Sequence, residues 1–251
     1  MNPSDSEALE LPVAYEPLAL DDGANVRAAT LSLAATGAGE GTLVWATRQA
    51  QGEGRPGKTW YAPDQGLYLS LILEPEFEPE QAGQIALVGL VAMGLALAEQ
   101  VVPMTDLSYR WPNDILLSGA KVAGLWLDRD VEEGWLVLNL AVNVGTEPEQ
   151  VVDAGCVQIE GGNPDITPQS LLQDFARQFL HWINRWDEEG LEPLLAQFRL
   201  RHAAQGTPLM LRLDSGEAVA GAFCGLSSEG GLQINVAGQT RTLSLNEFFG
   251  L

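Results

Sequence analysis

The chain has 251 residues, 46% of them hydrophobic, and sets 34 acidic against 13 basic side chains for a formal net charge of -21. That size supports a large buried core in one domain, with or without a small satellite, and the charge excludes non-specific nucleic-acid binding, which needs clustered Lys and Arg. A start without a basic leader, no run near about 18 apolar residues, and no CxxC spacing around Cys156 and Cys224 argue against export, membrane insertion, disulfides and zinc; a reduced, cytoplasmic setting is expected.

The acidic stretch 1–12 is the one disorder-prone piece. Residues 42–47 form a β-branched and aromatic run that reads as a strand, and it leads into glycine-rich residues 49–60, which read as a loop. A second strand is expected over 66–73. From 79 to 101, Ile85, Leu87, Val88, Val91, Leu95 and Leu97 recur among Ala and Gly behind Glu78 and Glu80, which predicts a core helix. Strands follow over 107–111, 115–117, 122–127 and 135–144, with a hairpin turn at 117–121. Thr167 and Pro168 then open a helix through Leu171, Leu172, Phe175, Phe179, Ile183 and Trp186, and another is expected over 191–204. Beyond Gly206 the composition changes to short strands over 208–213, 218–226, 232–236 and 240–245, which suggest a small barrel. The fold class is α+β, a mixed β-sheet with packed helices over 1–205 and a small β-domain over 206–251.

Both lysines, Lys58 and Lys121, lie beside glycines in this acidic chain, as if held back for an anion. The first motif, residues 49–60, reads QAQGEGRPGKTW. Gly52, Gly54 and Gly57 carry no Cβ, so their N–H groups can approach an anion closely, and Arg55 and Lys58 can neutralise phosphate. The second, residues 109–114, reads YRWPND, and Lys121 to Gly124 follow as KVAG. His181 and His202 have no partner at catalytic spacing and read as structural. The adjacent pairs Glu132–Glu133 and Glu188–Glu189 point apart on helix or strand, which suits solvated turns.

These segments resemble the biotin protein ligases, relatives of the lipoate ligases, in a form without an N-terminal DNA-binding domain. The family's loop QTAGRGRRGRxW corresponds to 49–60, its KWPND to 110–114, its RKLAGIL to 120–126 and its GIN to 141–143; the C-terminal stretch 206–251 is similar too. The resemblance implies the class II synthetase-like fold of biotin and lipoate ligases with a C-terminal SH3-like β-barrel. It also implies an enzyme that uses ATP and Mg2+ to convert a carboxylic acid, biotin-like or lipoate-like, to an acyl-adenylate, and passes the acyl group to a lysine of an acceptor carrier-domain protein, as a monomer or homodimer.

By the same resemblance Arg110, Lys121 and Arg55 are the catalytic residues. Gln49, Gly52, Gly54, Arg55, Gly57, Trp111 and Gly124 bind the acid, Lys58, Asn113, Asp114, Lys121 and Asn143 bind ATP, and Asp114 holds the metal. The loop is expected to close as a lid over ligand. Three positions depart from the family: Arg110 replaces a lysine, Glu53 replaces the arginine of GRG, and Asn25-Val26-Arg27 stands where Ser-Thr-Asn meets biotin's ureido ring. Two other readings stay open, a non-catalytic sensor or carrier of a carboxylate or its adenylate, and an octanoyl-type transferase, which would need a nucleophilic cysteine.

Overall fold

The computed structural model describes residues 9–21, 23–49, 52–53, 59–149 and 151–251. In chain order it contains β1 (Glu16–Ala19), α1 (Val26–Ala35), β2 (Thr42–Ala46), β3 (Gly52–Glu53), β4 (Thr59–Trp60), β5 (Gly66–Leu73), α2 (Gln84–Gln100), β6 (Leu107–Arg110), β7 (Asp114–Leu117), β8 (Ala120–Asp130) and β9 (Trp135–Asn143). There follow α3 (Pro168–Glu189), α4 (Glu192–Arg199), β10 (Pro208–Arg212), β11 (Ala218–Leu226), β12 (Leu232–Val236), β13 (Gln239–Leu243) and α5 (Leu245–Phe249). Seven strands form one mixed sheet in the order β1-β2-β5-β9-β8-β7-β6, with β1 and β2 parallel and every other pair antiparallel.

The two faces of this sheet differ because side chains alternate along each strand. Leu69, Leu71, Leu125, Leu138 and Leu140 are buried beneath the helices α2 and α3. A Cβ on Gly89 of α2 would stand 2.8 Å from Leu125 and 3.0 Å from Leu138, so glycine is what lets this helix lie close on the strands. Tyr68, Ser70, Ile72, Trp126, Val137 and Asn139 face the other way, and α1 covers part of that face through Leu31, Leu33 and Ala34.

Several expectations change at the boundaries. The helix expected from residue 79 opens as a 3-10 turn, Pro79–Gln81, and becomes α-helical only at Gln84. The span Pro79–Gln100 is long and apolar enough to cross a membrane, but 78% of its most apolar window is buried inside the protein, as suits a helix apolar on all sides. The second helix ends at Arg199 rather than 204, and the chain then runs beside β6, where Tyr109 N–H donates to the Arg201 carbonyl at 2.7 Å. The last strand stops at Leu243 because Ser244 and Glu247 form a capping box that starts α5. The element α1 was not expected; its start signal is the single cap Asn25, whose side chain accepts from Ala28 N–H at 2.9 Å.

Over the stretch expected to be a small barrel, β10 to β13 form a separate four-stranded antiparallel sheet. Polar contacts tie the C-terminal region to the larger unit, among them Asn246 Nδ2 donating to the Pro79 carbonyl at 3.2 Å. Asn246 accepts from Gly83 N–H at 2.9 Å, and the Trp111 indole donates to the Gly230 carbonyl at 2.9 Å.

Candidate active site

The turn 111–113 joins β6 to β7 and is fastened to β8 from both sides. Asn113 Nδ2 donates to the Leu125 carbonyl at 2.8 Å, and Leu125 N–H donates to the Asn113 carbonyl at 2.9 Å. Asn113 is therefore the anchor of the turn. The pairing Asp114↔Gly124 puts Asp114 on the α1-side face of the sheet. Lys121 is three residues from Gly124 and in a regular strand would face the opposite side. A register shift intervenes: Ile115 pairs with Ala123 but Leu116 pairs with Lys121, so one extra residue, Val122, turns Lys121 back to the face of Asp114.

Lys121 Nζ then lies 2.6 Å from Asp114 Oδ1, and Arg110 Nη1 lies 3.8 Å from Oδ2 of the same carboxylate. Both partners of the shorter pair are largely sheltered, whereas the Arg110 side chain is 48% exposed. Above them sits Trp60, whose β4 pairs with β3 through Gly52↔Trp60. Its ring centroid is 5.2 Å from Lys121 Nζ, a cation–π distance. A Cβ on Gly124 would come within 2.8 Å of that ring and 3.2 Å of Nζ, so the glycine leaves the floor of the site bare. The returning segment 153–157 laces the strands together: Lys121 N–H donates to the Asp153 carbonyl at 2.9 Å and Gly155 N–H to the Lys121 carbonyl at 3.0 Å. Asn143 Nδ2 donates to the Gly155 carbonyl at 3.0 Å, while its buried Oδ1 has no partner among the described residues.

Lys121, Asp114, Gly124, Asn113 and Arg110 are thus brought together. Gln49 lies beside the start of α1, where its Oε1 accepts from Val26 N–H at 3.3 Å. Gly54, Arg55, Gly57 and Lys58 lie outside the described residues, as does the lid expected of their loop, and of Gly52 only the strand pairing is described. Two of the expected site residues have partners inside the protein. Trp111, expected against the acid, is buried at the seam with the C-terminal sheet, edge-on to Phe248 at 5.2 Å, because its indole N–H is spent on Gly230. Asp114, expected to hold the metal, already pairs with Lys121, and among the described residues no three carboxylate, His or Cys side chains gather about one point.

A polar network that the motifs did not reveal lies in the next row of the same face. Arg27 of α1 makes a bidentate pair with Asp128, Nε to Oδ2 at 2.7 Å and Nη2 to Oδ1 at 2.6 Å. Asn139 Nδ2 donates to Asp128 at 2.8 Å, and Ser70 Oγ donates to Asn139 Oδ1 at 2.6 Å. The available signal was Ser70 and Asn139, single polar residues inside otherwise apolar strands. A larger cleft, about 670 Å3, runs between β6 and the C-terminal sheet, but of the cation group only Arg110 reaches it. Cys156 is fully buried, and burial pushes its thiol above the ordinary range, the reverse of an activated nucleophile.

Comparison with known proteins follows this geometry. Residues 11–200 match the model of the biotin/lipoate A/B protein ligase family. A biotin–[acetyl-CoA-carboxylase] ligase of Paracoccus denitrificans is 31% identical over 244 residues, covering 93% of this chain and 99% of its own length. The ligase of that name from Mycobacterium tuberculosis is 29% identical over 229 residues, covering 86% and 82%. Among solved structures, the biotin protein ligase of Aquifex aeolicus in complex with biotin and ATP shares the fold with TM-score 0.76 at 24% identity, covering 93% of this chain and 97% of its own. A biotin protein ligase-like protein of unknown function from Silicibacter sp. TM1040 gives TM-score 0.75 at 23% identity, covering 94% and 97%.

Proposed function

The chain belongs to the biotin/lipoate A/B protein ligase family, and on that premise we propose that it activates a small carboxylic acid with ATP as the acyl-adenylate and transfers the acyl group to a lysine of a carrier-domain protein. The observation that carries this reading is the pair of cations, Lys121 and Arg110, gathered about one carboxylate above the bare floor at Gly124. In the first step an oxygen of the acid attacks the α-phosphorus of ATP and pyrophosphate leaves. In the second a neutral lysine amine attacks the acyl carbon, AMP departs with the bonding electron pair, and the amine loses a proton.

Each step places negative charge where two anions meet, and fixed cations stabilise it without reorganising. Asp114 pairs with Lys121 at 2.6 Å and aims it across Gly124. Arg110 is less constrained, at 3.8 Å and half in solvent, and turns to the acid carboxylate or the α-phosphate as they arrive. Asn143 Oδ1, buried without a partner among the described residues, is left as an acceptor beside the nucleotide region. Magnesium typically keeps phosphate oxygens and waters as most of its ligands; with Asp114 committed to Lys121 the described residues do not make a cage for it, and no step is assigned to it. The division at residue 206 fits this reading, with the four-stranded sheet as an SH3-like barrel packed behind the turn 111–113.

ATP/pyrophosphate exchange with biotin, lipoate and octanoate offered separately tests the proposal. Exchange dependent on at least one acid is expected. Tight acid binding with no exchange would replace the ligase by a non-catalytic carrier or sensor, the reading favoured if Arg110 cannot do the work of the family lysine.

A further inference from the structure

Beneath the first turn of α1 the sheet face is almost closed. Val26, Arg27, Gln49, Tyr68, Ser70 and Trp126 surround a cavity of about 10 Å3, the room of a single water molecule. This space belongs to the region of the acid rather than of the nucleotide. Trp126 follows Gly124 by two residues on the same strand and face, about 7 Å along β8, so an acid whose carboxylate meets Lys121 above Gly124 and which lies along the strand ends against Trp126.

Most of the walls are pinned. Ser70, Asn139, Asp128 and Arg27 hold one another at 2.6–2.8 Å, and the Tyr68 hydroxyl donates to the Pro63 carbonyl at 2.8 Å. Moving any of them leaves a polar group unsatisfied inside the protein. Trp126 is 5% exposed, and its Nε1 is buried without a partner among the described residues, so packing alone keeps the ring where it is. Among the side chains that line this cavity, Trp126 is the largest that no hydrogen bond holds among the described residues.

Resting on the proposed acyl activation at Lys121, we infer that Trp126 is the specificity-determining residue, admitting a slim straight-chain carboxylic acid laid along β8 and excluding a fused bicyclic acid such as biotin. The cavity holds a terminal methyl or methylene but not two fused rings. The rigid network on its other side prevents the pocket from widening there.

Calorimetric titration of the full chain with octanoate and with biotin tests the assignment. Octanoate is expected to bind at least tenfold more tightly than biotin, and Trp126→Leu to raise biotin affinity at least tenfold. Trp126→Phe, which keeps most of the bulk and the fold, should still exclude biotin. Wild-type protein that binds biotin as tightly as octanoate overturns the inference without recourse to any variant, and so does a folded Trp126→Leu protein with unchanged biotin affinity. Parallel pyrophosphate exchange separates this failure from that of the ligase reading. Loss of exchange with every acid while the calorimetric order holds upholds Trp126 and overturns the ligase, whereas biotin-driven exchange in the wild type upholds the ligase and overturns Trp126.

Discussion

Lys121 reaches the site because one residue is inserted into β8. Without the extra residue Val122 its ammonium would enter the apolar layer beneath α2, where an unpaired charge is costly; with it, the charge meets Asp114 at 2.6 Å. Replacing Lys121 by Ala removes the best-placed described cation without disturbing the core. ATP affinity is expected to fall by about 1.5 to 3 kcal/mol, the range of a hydrogen bond to a charged group, or roughly ten- to 150-fold. Calorimetric titration with ATP measures this, and a loss below threefold would make Lys121 a structural partner of Asp114 only. The motif KVAG is legible in the sequence, but the face on which its lysine emerges is not, because a bulge leaves no local signature in these residues.

At the scale of elements, the contact between α2 and β6 depends on a missing side chain. A Cβ on Gly94 would stand 2.0 Å from the Tyr109 hydroxyl, and that ring is stacked on Phe198 with centroids 5.5 Å apart, so it has little room to retreat. Burial also pushes the Tyr109 hydroxyl up to about 12, as expected of a phenol held in an apolar seam, and the hydroxyl has no partner among the described residues. Gly94→Ala should therefore cost about 1 to 3 kcal/mol by overpacking, read from urea unfolding. Adding Tyr109→Phe should return part of the loss, since the clashing atom is the oxygen and no hydrogen bond is given up. Equal stability of Gly94→Ala and wild type would mean that the helix stands farther from the sheet than described. The sequence announces α2 clearly through its apolar run, whereas α1, with alanines and threonines on its face and one cap, is visible only once the sheet beneath it exists.

Over the whole molecule, 34 acidic groups face 13 basic ones, and many of the described cations are already paired with carboxylates, as in Arg48–Asp64, Arg185–Glu189 and Arg241–Glu217. Exposed pairs of this kind contribute little, while the surplus of negative charge works against the compact state. Raising salt from low to moderate ionic strength should screen the repulsion and recover on the order of 1 kcal/mol, a rise of roughly 2–4 °C in Tm for a chain of this size. A melting scan checks this, and a falling Tm would show that the ion pairs outweigh the repulsion.

What the amino-acid order determined alone is what short-range physics records. Apolar runs bounded by turn residues marked β5, β8 and β9, helical spacing and a Thr-Pro start marked α3, and glycine-bordered lysines marked the candidate site. Tertiary structure decided which side of the sheet each marked residue faces and what it meets there. Trp111 turned to the C-terminal seam, Arg27 found Asp128 across 101 residues, and Trp126 closed on the small cavity beneath α1. Register, bulges and long-range ion pairs are settled by packing the whole sheet at once, and no local stretch of chain contains that information.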